Sequence, residues 1–199
     1  MIAQNIEKQI RVLIAFGDIE GFGSYMQRVA YPDTQLRPFI RRFDDIVDAF
    51  EEETGYFLKR LGDGFMCVVE VHGKKPARAK FLNNLWAVAE KINSLVSNHP
   101  SPRPGQFRFR VVCGYVWKIL RANKRKDYLG YQVNLCERLL RSNKSDLFVC
   151  SEAFKEMMTE KEIVDNKYTF EKLKSFEEPP TGVYREDFNS LWTFSKGDK

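Results

Sequence analysis

Two aspartates, Asp18 and Asp63, stand at the ends of apolar segments. Asp18 follows the apolar segment 12–16, and Asp63 lies in the turn Gly62-Asp63-Gly64 between two further apolar segments. Carboxylate oxygens are hard donors that suit Mg²⁺ or Mn²⁺. Phosphoryl chemistry is commonly carried out by two such ions, which hold the attacking and leaving oxygens. The spacing therefore predicts a paired site for divalent metal.

Each aspartate also has an ordinary structural interpretation when it is taken alone. Asp is a favoured residue at the start of a helix, which is a possible role for Asp18. Asp is equally common in the tight turn of a β-hairpin, which is a possible role for Asp63. The metal interpretation gains weight because both residues occur together with the motifs described below.

Two further segments have residue types that suit an anionic ligand. Glu20-Gly21-Phe22-Gly23 follows Asp18 at the expected start of a helix, where free amide groups hold phosphate oxygens, although a simple tight turn has the same composition. Asn134 and Arg138 are four residues apart on a predicted helix and so share one face. A guanidinium fork suits a phosphate, but a solvent-exposed arginine gives the same spacing.

The apolar periodicity places these residues on alternating strands and helices. Strands are predicted over 8–17, 56–61, 64–71, 107–120, 147–150, 168–174 and 182–194, and helices over 36–50, 77–97 and 131–140. The proline-rich stretch 98–105 is expected to be an irregular connection. This order of elements predicts an α+β fold, an α/β sandwich with a mixed sheet and helices packed on one side.

The composition is that of a folded, water-soluble protein. The 199 residues are 43% hydrophobic and 14% aromatic, and the net charge is +5. No stretch of eighteen apolar residues spans a membrane and no signal peptide is evident, so a cytoplasmic location is expected. No basic stripe indicates nucleic-acid binding. The four cysteines are widely spaced, and we expect buried reduced thiols.

The order of five motifs resembles the catalytic domain of the class III nucleotidyl cyclases. The matching segments are Ala15–Phe22, Lys59–Gly64, Asp127–Asn134, Arg138, and Lys174–Pro179 with Val183–Arg185. The resemblance covers about residues 8–185 and implies one catalytic domain over 1–199, with closing strands to about residue 194. It also implies a ferredoxin-like core and a head-to-tail homodimer with composite active sites.

The resemblance implies a role for each matching residue. Asp18, Asp63 and the backbone carbonyl of Ile19 would bind two divalent ions, Mn²⁺ or Mg²⁺. Asn134 would position the ribose, and Arg138 would stabilise charge on the α-phosphate. Both would come from the second chain of the dimer. A lysine, Lys174 or its neighbour Lys172, would bind phosphate, and Glu20-Gly21-Phe22-Gly23 would hold the triphosphate.

The resemblance also implies the reaction and bears on the base. The ribose 3′-oxygen attacks the α-phosphate, pyrophosphate leaves, and a 3′,5′-cyclic nucleotide forms. Lys59 and Asp127 match the two base-selecting positions of the family, where this pair accompanies adenine. Asp accepts from an exocyclic amine and Lys donates to a ring nitrogen, so ATP or CTP fits the pair directly.

Other features favour a pyrimidine. The segment Val112-Cys113-Gly114-Tyr115 lacks a phosphate contact common in the family, and Cys136-Glu137 replaces a pair of small residues. We expect no attached sensor, anchor or coiled coil. This minimal architecture resembles the pyrimidine cyclases of bacterial Pycsar anti-phage systems, whose cyclic UMP or cyclic CMP acts on a separate effector. Tyr56 is predicted to fill space beside the smaller base.

The sequence therefore predicts a pyrimidine cyclase, with UTP preferred to CTP. One alternative is an adenylate cyclase that converts ATP to cyclic AMP. The alternative from another class is a catalytically inactive cyclase-like module for binding or dimerisation.

Overall fold

The computed structural model describes residues 5–28, 36–72, 78–100, 104–121, 125–142, 147–173, 184, 186 and 190–197. The helices are α1 (Phe22–Arg28), α2 (Leu36–Thr54), α3 (Arg78–Ser97), α4 (Tyr131–Ser142), α5 (Glu152–Met157) and α6 (Glu160–Asp165). The strands are β1 (Asn5–Ile19), β2 (Phe57–Arg60), β3 (Gly64–Glu70), β4 (Phe107–Leu120), β5 (Lys126–Leu129), β6 (Phe148–Ser151), β7 (Tyr168–Lys172) and β8 (Leu191–Lys196). None of these helices is long and apolar enough to cross a lipid bilayer.

The eight strands form one mixed sheet. Its order is β2-β3-β1-β4-β6-β8-β7, with β5 paired to β4. The pairing of β4 with β6 is parallel, whereas β1 runs antiparallel to both of its neighbours. The long central pair β1–β4 positions the site, because Asp18 near the end of β1 faces Gly64 on one side and Arg108 on the other.

Alternate residues of β1 face two separate apolar clusters, as the period of a strand requires. Leu13 and Ala15 join the cluster formed with α2 and α3, while Val12 and Ile14 join the cluster that contains buried residues of α4. The main helical layer, α2 and α3, lies on one side of the sheet, and α4 packs against the other face. The mixed sheet and its helical layer confirm the predicted α+β class.

The observed elements differ from the sequence predictions mainly at their ends. The first strand is longer than predicted, and the late strand expected over 182–194 is observed at Leu191–Lys196. The sequence prediction missed β5, α5 and α6, because each has only four to six residues and too little apolar periodicity. One usable signal was the capping box of α6, in which Thr159 and Glu162 bond each other's backbone.

Candidate active site

An open cleft of about 600 Å³ lies at the end of β1 and the β2–β3 turn. Asp18, Asp63, Lys59 and Glu137 supply its charged groups from four different segments. Its remaining walls include apolar and aromatic side chains of the sheet and one face of α4. Those residues are Phe16, Leu61, Met66, Tyr128, Leu129, Val133 and Leu140.

The β2–β3 turn brings the two predicted metal ligands to the same cleft. The amide of Ile19 donates to the carbonyl oxygen of Asp63 at 3.2 Å, which ties the end of β1 to the turn. The approach requires glycine at position 64, because a Cβ there would lie 2.0 Å from the carbonyl oxygen of Gly17. Gly62 has a φ of +80°, which glycine adopts without strain.

The charges of the cleft explain why a cation would fit between the aspartates. The pKa of Asp63 is raised, first by burial and also by the nearby charge of Asp18, while Arg108 acts in the opposite direction. Two carboxylates that repel each other are stabilised when a cation lies between them. Carboxylates together with a backbone carbonyl, here Ile19, form a donor set typical of Mg²⁺ or Mn²⁺.

No group of three or more His, Cys, Asp or Glu side chains that could hold a metal occurs within the described part of the chain. Asp18, Asp63 and the Ile19 carbonyl would thus be the protein ligands, and further ligands would be phosphate oxygens of a substrate and water.

Arg108 is a site residue that the sequence prediction missed. Its Nε donates to Oδ1 of Asp18 at 2.8 Å and its Nη2 to Oδ2 at 3.4 Å, and its Nη1 lies 3.9 Å from Oε1 of Glu20. The Arg108 side chain is 9% exposed, so the pairing fixes Asp18 from behind the cleft. The available signal was the pair of arginines, Arg108 and Arg110, that alternate with phenylalanines at the start of β4, but the partner of Arg108 is 90 residues away.

Lys59 and Asp127, the predicted base-selecting pair, are in contact. Lys59 Nζ lies 3.2 Å from Oδ2 of Asp127, which also accepts from Arg121. The pKa of Asp127 is lowered: burial raises it, but the hydrogen bonds from Arg121, the Tyr128 amide and Lys59 outweigh that effect. The carboxyl group is therefore ionised at neutral pH. The sequence prediction did not include Arg121 in the site.

Tyr56, which the sequence predicts beside the base, packs against the helical layer. Its ring packs against Phe50 of α2 and Phe81 of α3, and its hydroxyl accepts from Asn84 of α3. Side chains alternate along the strand that follows, so Tyr56 faces the helical layer while Lys59 faces the cleft. Tyr56 is partly buried against the core, and its place beside the base of a substrate stays a prediction.

The segment Glu20-Gly21-Phe22-Gly23 forms the expected turn into a helix. Gly21 has a φ of +66°, and its carbonyl oxygen accepts from the Tyr25 amide in the first turn of α1. Phe22 packs against Phe39 and Tyr25, which gives it a packing role. Glu20 lies beside Arg108, so the segment adjoins the predicted metal ligand Asp18.

Asn134 and Arg138 are not brought together with the two aspartates within one chain. The face of α4 that lines the cleft contains Val133, Glu137 and Leu140, whereas Asn134 and Arg138 lie on a neighbouring face. Asn134 is exposed to solvent. This placement is compatible with the expectation that the pair serves a site in a second chain.

The predicted phosphate-binding lysine is Lys174 or its neighbour Lys172. Lys174 lies outside the described residues. Lys172 is exposed at the end of β7, and β4, β6 and β8 separate that strand from β1.

Comparison with known proteins identifies the family. The family model for the adenylate and guanylate cyclase catalytic domain matches residues 4–179. A search of the curated proteins finds no match. Three solved structures illustrate the shared fold at low sequence identity.

The adenylyl cyclase CyaB from P. aeruginosa is 15% identical with a TM-score of 0.72, and the match covers 100% of this chain and 97% of that one. The guanylate cyclase domain of RhGC from Catenaria anguillulae, in complex with GTP, is 18% identical with a TM-score of 0.62 over 96% and 98%. The non-canonical dimeric guanylyl cyclase domain of RhoGC from Blastocladiella emersonii is 17% identical with a TM-score of 0.64 over 96% and 100%.

The family match extends over most of the chain and includes both aspartates of the cleft, Lys59, Asp127 and the α4 pair. The chain therefore belongs to the adenylate and guanylate cyclase catalytic domain family and is a nucleotidyl cyclase.

Proposed function

We propose that this cyclase converts a pyrimidine nucleoside triphosphate, UTP in preference to CTP, to its 3′,5′-cyclic nucleotide and pyrophosphate. The product would be a second messenger in anti-phage defence that acts on a separate effector in the cytoplasm. The observation that carries the cyclase chemistry is the placement of Asp18 and Asp63 in one cleft with Lys59. The support for a pyrimidine is the resemblance to stand-alone pyrimidine cyclases.

The proposed roles follow from the positions of the side chains. Asp18 and Asp63 would hold two divalent ions, Mn²⁺ or Mg²⁺, with the Ile19 carbonyl. When bound, such ions favour ionisation of a hydroxyl group and neutralise phosphate charge. Arg108 keeps Asp18 oriented through two hydrogen bonds. Glu20-Gly21-Phe22-Gly23 adjoins this group and would lie beside the triphosphate.

The second chain of a head-to-tail homodimer would complete the site. Its Asn134 would orient the ribose, its Arg138 would stabilise negative charge on the α-phosphate, and its Lys174 would bind the outer phosphates. The bond from the 3′-oxygen to the α-phosphorus forms while the bond from that phosphorus to pyrophosphate breaks. The proton of the 3′-hydroxyl leaves to solvent.

Incubation of the purified protein with each of the four nucleoside triphosphates tests this proposal. Reactions with Mn²⁺ and with Mg²⁺ would be analysed for pyrophosphate and, by chromatography, for the cyclic product. We expect cyclic UMP as the main product, a lower yield of cyclic CMP, and little from purines. A product from ATP alone would replace the pyrimidine assignment by adenylate cyclase, the function that the Lys59–Asp127 pair favours on its own.

The same assay tests the alternative that the chain is a catalytically inactive cyclase-like module. If the natural protein releases pyrophosphate and the Asp63→Ala variant does not, the cleft is the catalytic site. If neither protein releases pyrophosphate from any triphosphate, the chain is a cyclase-like binding or dimerisation module.

A further inference from the structure

We infer that Arg121 determines base selection. Its guanidinium group occupies acceptor positions of the Asp127 carboxylate, so Lys59 and Arg121 present hydrogen-bond donors to the base. The inference rests on the proposed function in that it takes Lys59 and Asp127 as the base-binding pair. It goes beyond that proposal because it names a further specificity residue and the chemical group of the base that this residue selects.

The hydrogen bonds of Asp127 fill all the acceptor positions of its carboxylate. Oδ1 accepts from the Tyr128 amide at 2.9 Å and from Lys59 Nζ at 3.3 Å. Oδ2 accepts from Arg121 Nε at 2.8 Å, from Arg121 Nη2, and from Lys59 Nζ at 3.2 Å. An ionised carboxylate has about four acceptor positions. Asp127 therefore has no acceptor position left for the exocyclic amine of a base.

The exposure of the three side chains shows which of them a ligand would meet. The side chain of Asp127 is 3% exposed, whereas those of Lys59 and Arg121 are 45% and 47% exposed. The carboxylate lies behind two cations. A ligand that approaches from solvent therefore meets the ammonium and guanidinium groups, both of which only donate.

The backbone fixes Arg121 next to Asp127. Arg121 directly follows β4, and its amide donates to the carbonyl oxygen of Arg125 at 2.9 Å. Leu120 pairs with Lys126, and Ile119 pairs with Asp127, so β4 and β5 hold the arginine and the aspartate at the same end of one ladder. The contact between the two side chains is thus supported by the pairing of two strands.

A pocket of donors favours a carbonyl group on the base. Uracil and guanine present a carbonyl oxygen where cytosine and adenine present an amine. The exocyclic amine of cytosine or adenine, placed against Lys59 and Arg121, would put one hydrogen-bond donor against another. Unpaired polar groups in a binding site cost binding free energy. Guanine also has a ring N–H and an amine that need acceptors, whereas uracil has one ring N–H. Among pyrimidines this site is therefore expected to favour UTP over CTP, and among purines GTP over ATP.

The test is the ratio of kcat/KM for UTP to that for CTP in the natural protein and in Arg121→Gln. The glutamine releases an oxygen of Asp127, which becomes able to accept the cytosine amine. We expect the ratio to fall by about tenfold, the discrimination typical of one base contact, while cyclic nucleotide is still formed. Arg121→Lys keeps the charge but not the fork, and we expect an intermediate ratio. Arg125→Gln, which removes the same charge four residues away, should leave the ratio unchanged.

The outcomes separate this inference from the proposed function. An unchanged ratio in an active Arg121→Gln protein overturns the inference and leaves the pyrimidine assignment intact. A natural protein that prefers CTP to UTP has the same two consequences. A natural protein that uses only GTP overturns the pyrimidine assignment and supports the inference. One that uses only ATP overturns both. If circular dichroism shows that Arg121→Gln is unfolded, the ratio measured with Arg121→Lys decides.

Discussion

At the scale of single residues, the charge of the cleft depends on two aspartates, Asp18 and Asp63, and on the buried Arg108. Asp63 and Asp18 repel each other enough to contribute to the raised pKa of Asp63, and Arg108 opposes that effect. Arg108 bonds both oxygens of Asp18 and is almost buried, so its guanidinium orients that carboxylate towards the cleft. Asp63 receives no comparable clamp among the described contacts, and its charge remains available for a cation.

This balance predicts the effect of Asp63→Asn. The amide has nearly the same size but lacks the charge that would hold a cation, so we expect cyclase activity to fall by at least about a hundredfold. The folded state should be no less stable, because the change removes a partly buried charge and its repulsion with Asp18. Pyrophosphate release and thermal melting measure the two effects. Asp165→Asn, an exposed change in α6, is the matched control, and an active Asp63→Asn protein would contradict the proposed metal site.

At the scale of elements, a hydrogen-bonded group ties β3, β4 and β5 together beside the cleft. Glu70 at the end of β3 accepts from the Tyr128 hydroxyl at 2.9 Å and pairs with Lys118 at 3.0 Å. Burial raises the pKa of Glu70, but the bonds from Lys118 and Tyr128 outweigh it and lower the pKa overall. The group therefore stabilises the strand β5 that presents Asp127.

The lowered pKa predicts how Glu70→Gln depends on pH. Stability from an acid with a depressed folded pKa is fully present above its unfolded pKa, near 4.5, and is lost as the pH falls through the folded value. We expect the variant to be about 1–2 kcal/mol less stable at pH 7 and the difference to shrink below that pKa. Denaturant unfolding at several pH values measures it. Glu52→Gln, on the exposed face of α2, should show little difference at any pH.

The sequence predicted most of these elements but not the contacts that join them. Apolar periodicity located the long central strand and the helices α2 and α3, because burial on one face leaves a regular pattern. It also predicted that Asp18 and Asp63 meet, since both end apolar segments. It did not predict the contacts of Arg108 with Asp18 or of Lys59 with Asp127, 90 and 68 residues apart. These depend on the register between strands, which is set by the whole sheet. The direction of the Tyr56 side chain likewise depends on that register.

At the scale of the whole molecule, the residues proposed for the active site lie on two different surfaces of one chain. The cleft holds the aspartates, while Asn134 and Arg138 lie on a face of α4 that does not line it. Near α4, the side chains of Tyr115, Trp117 and Leu129 are 60%, 46% and 48% exposed. Exposed apolar side chains of adjoining strands are typical of an interaction surface. A second copy of the chain on this surface would bring the two sets of residues together, as the head-to-tail dimer requires.

Mixing two inactive variants tests the composite site. Asp63→Asn and Arg138→Ala should each be inactive as homodimers, because every site lacks either a carboxylate or the arginine. In a two-fold dimer of one chain of each kind, one site receives both substitutions and the other receives neither. Random exchange of subunits in an equal mixture should therefore restore about a quarter of the natural activity. A mixture in which exchange is shown, by co-purification of differently tagged chains, and which stays inactive would contradict the composite site. Rescue cannot arise within one chain, because each chain carries its own defect, so recovered activity would place Asp63 and Arg138 in the same site from different chains.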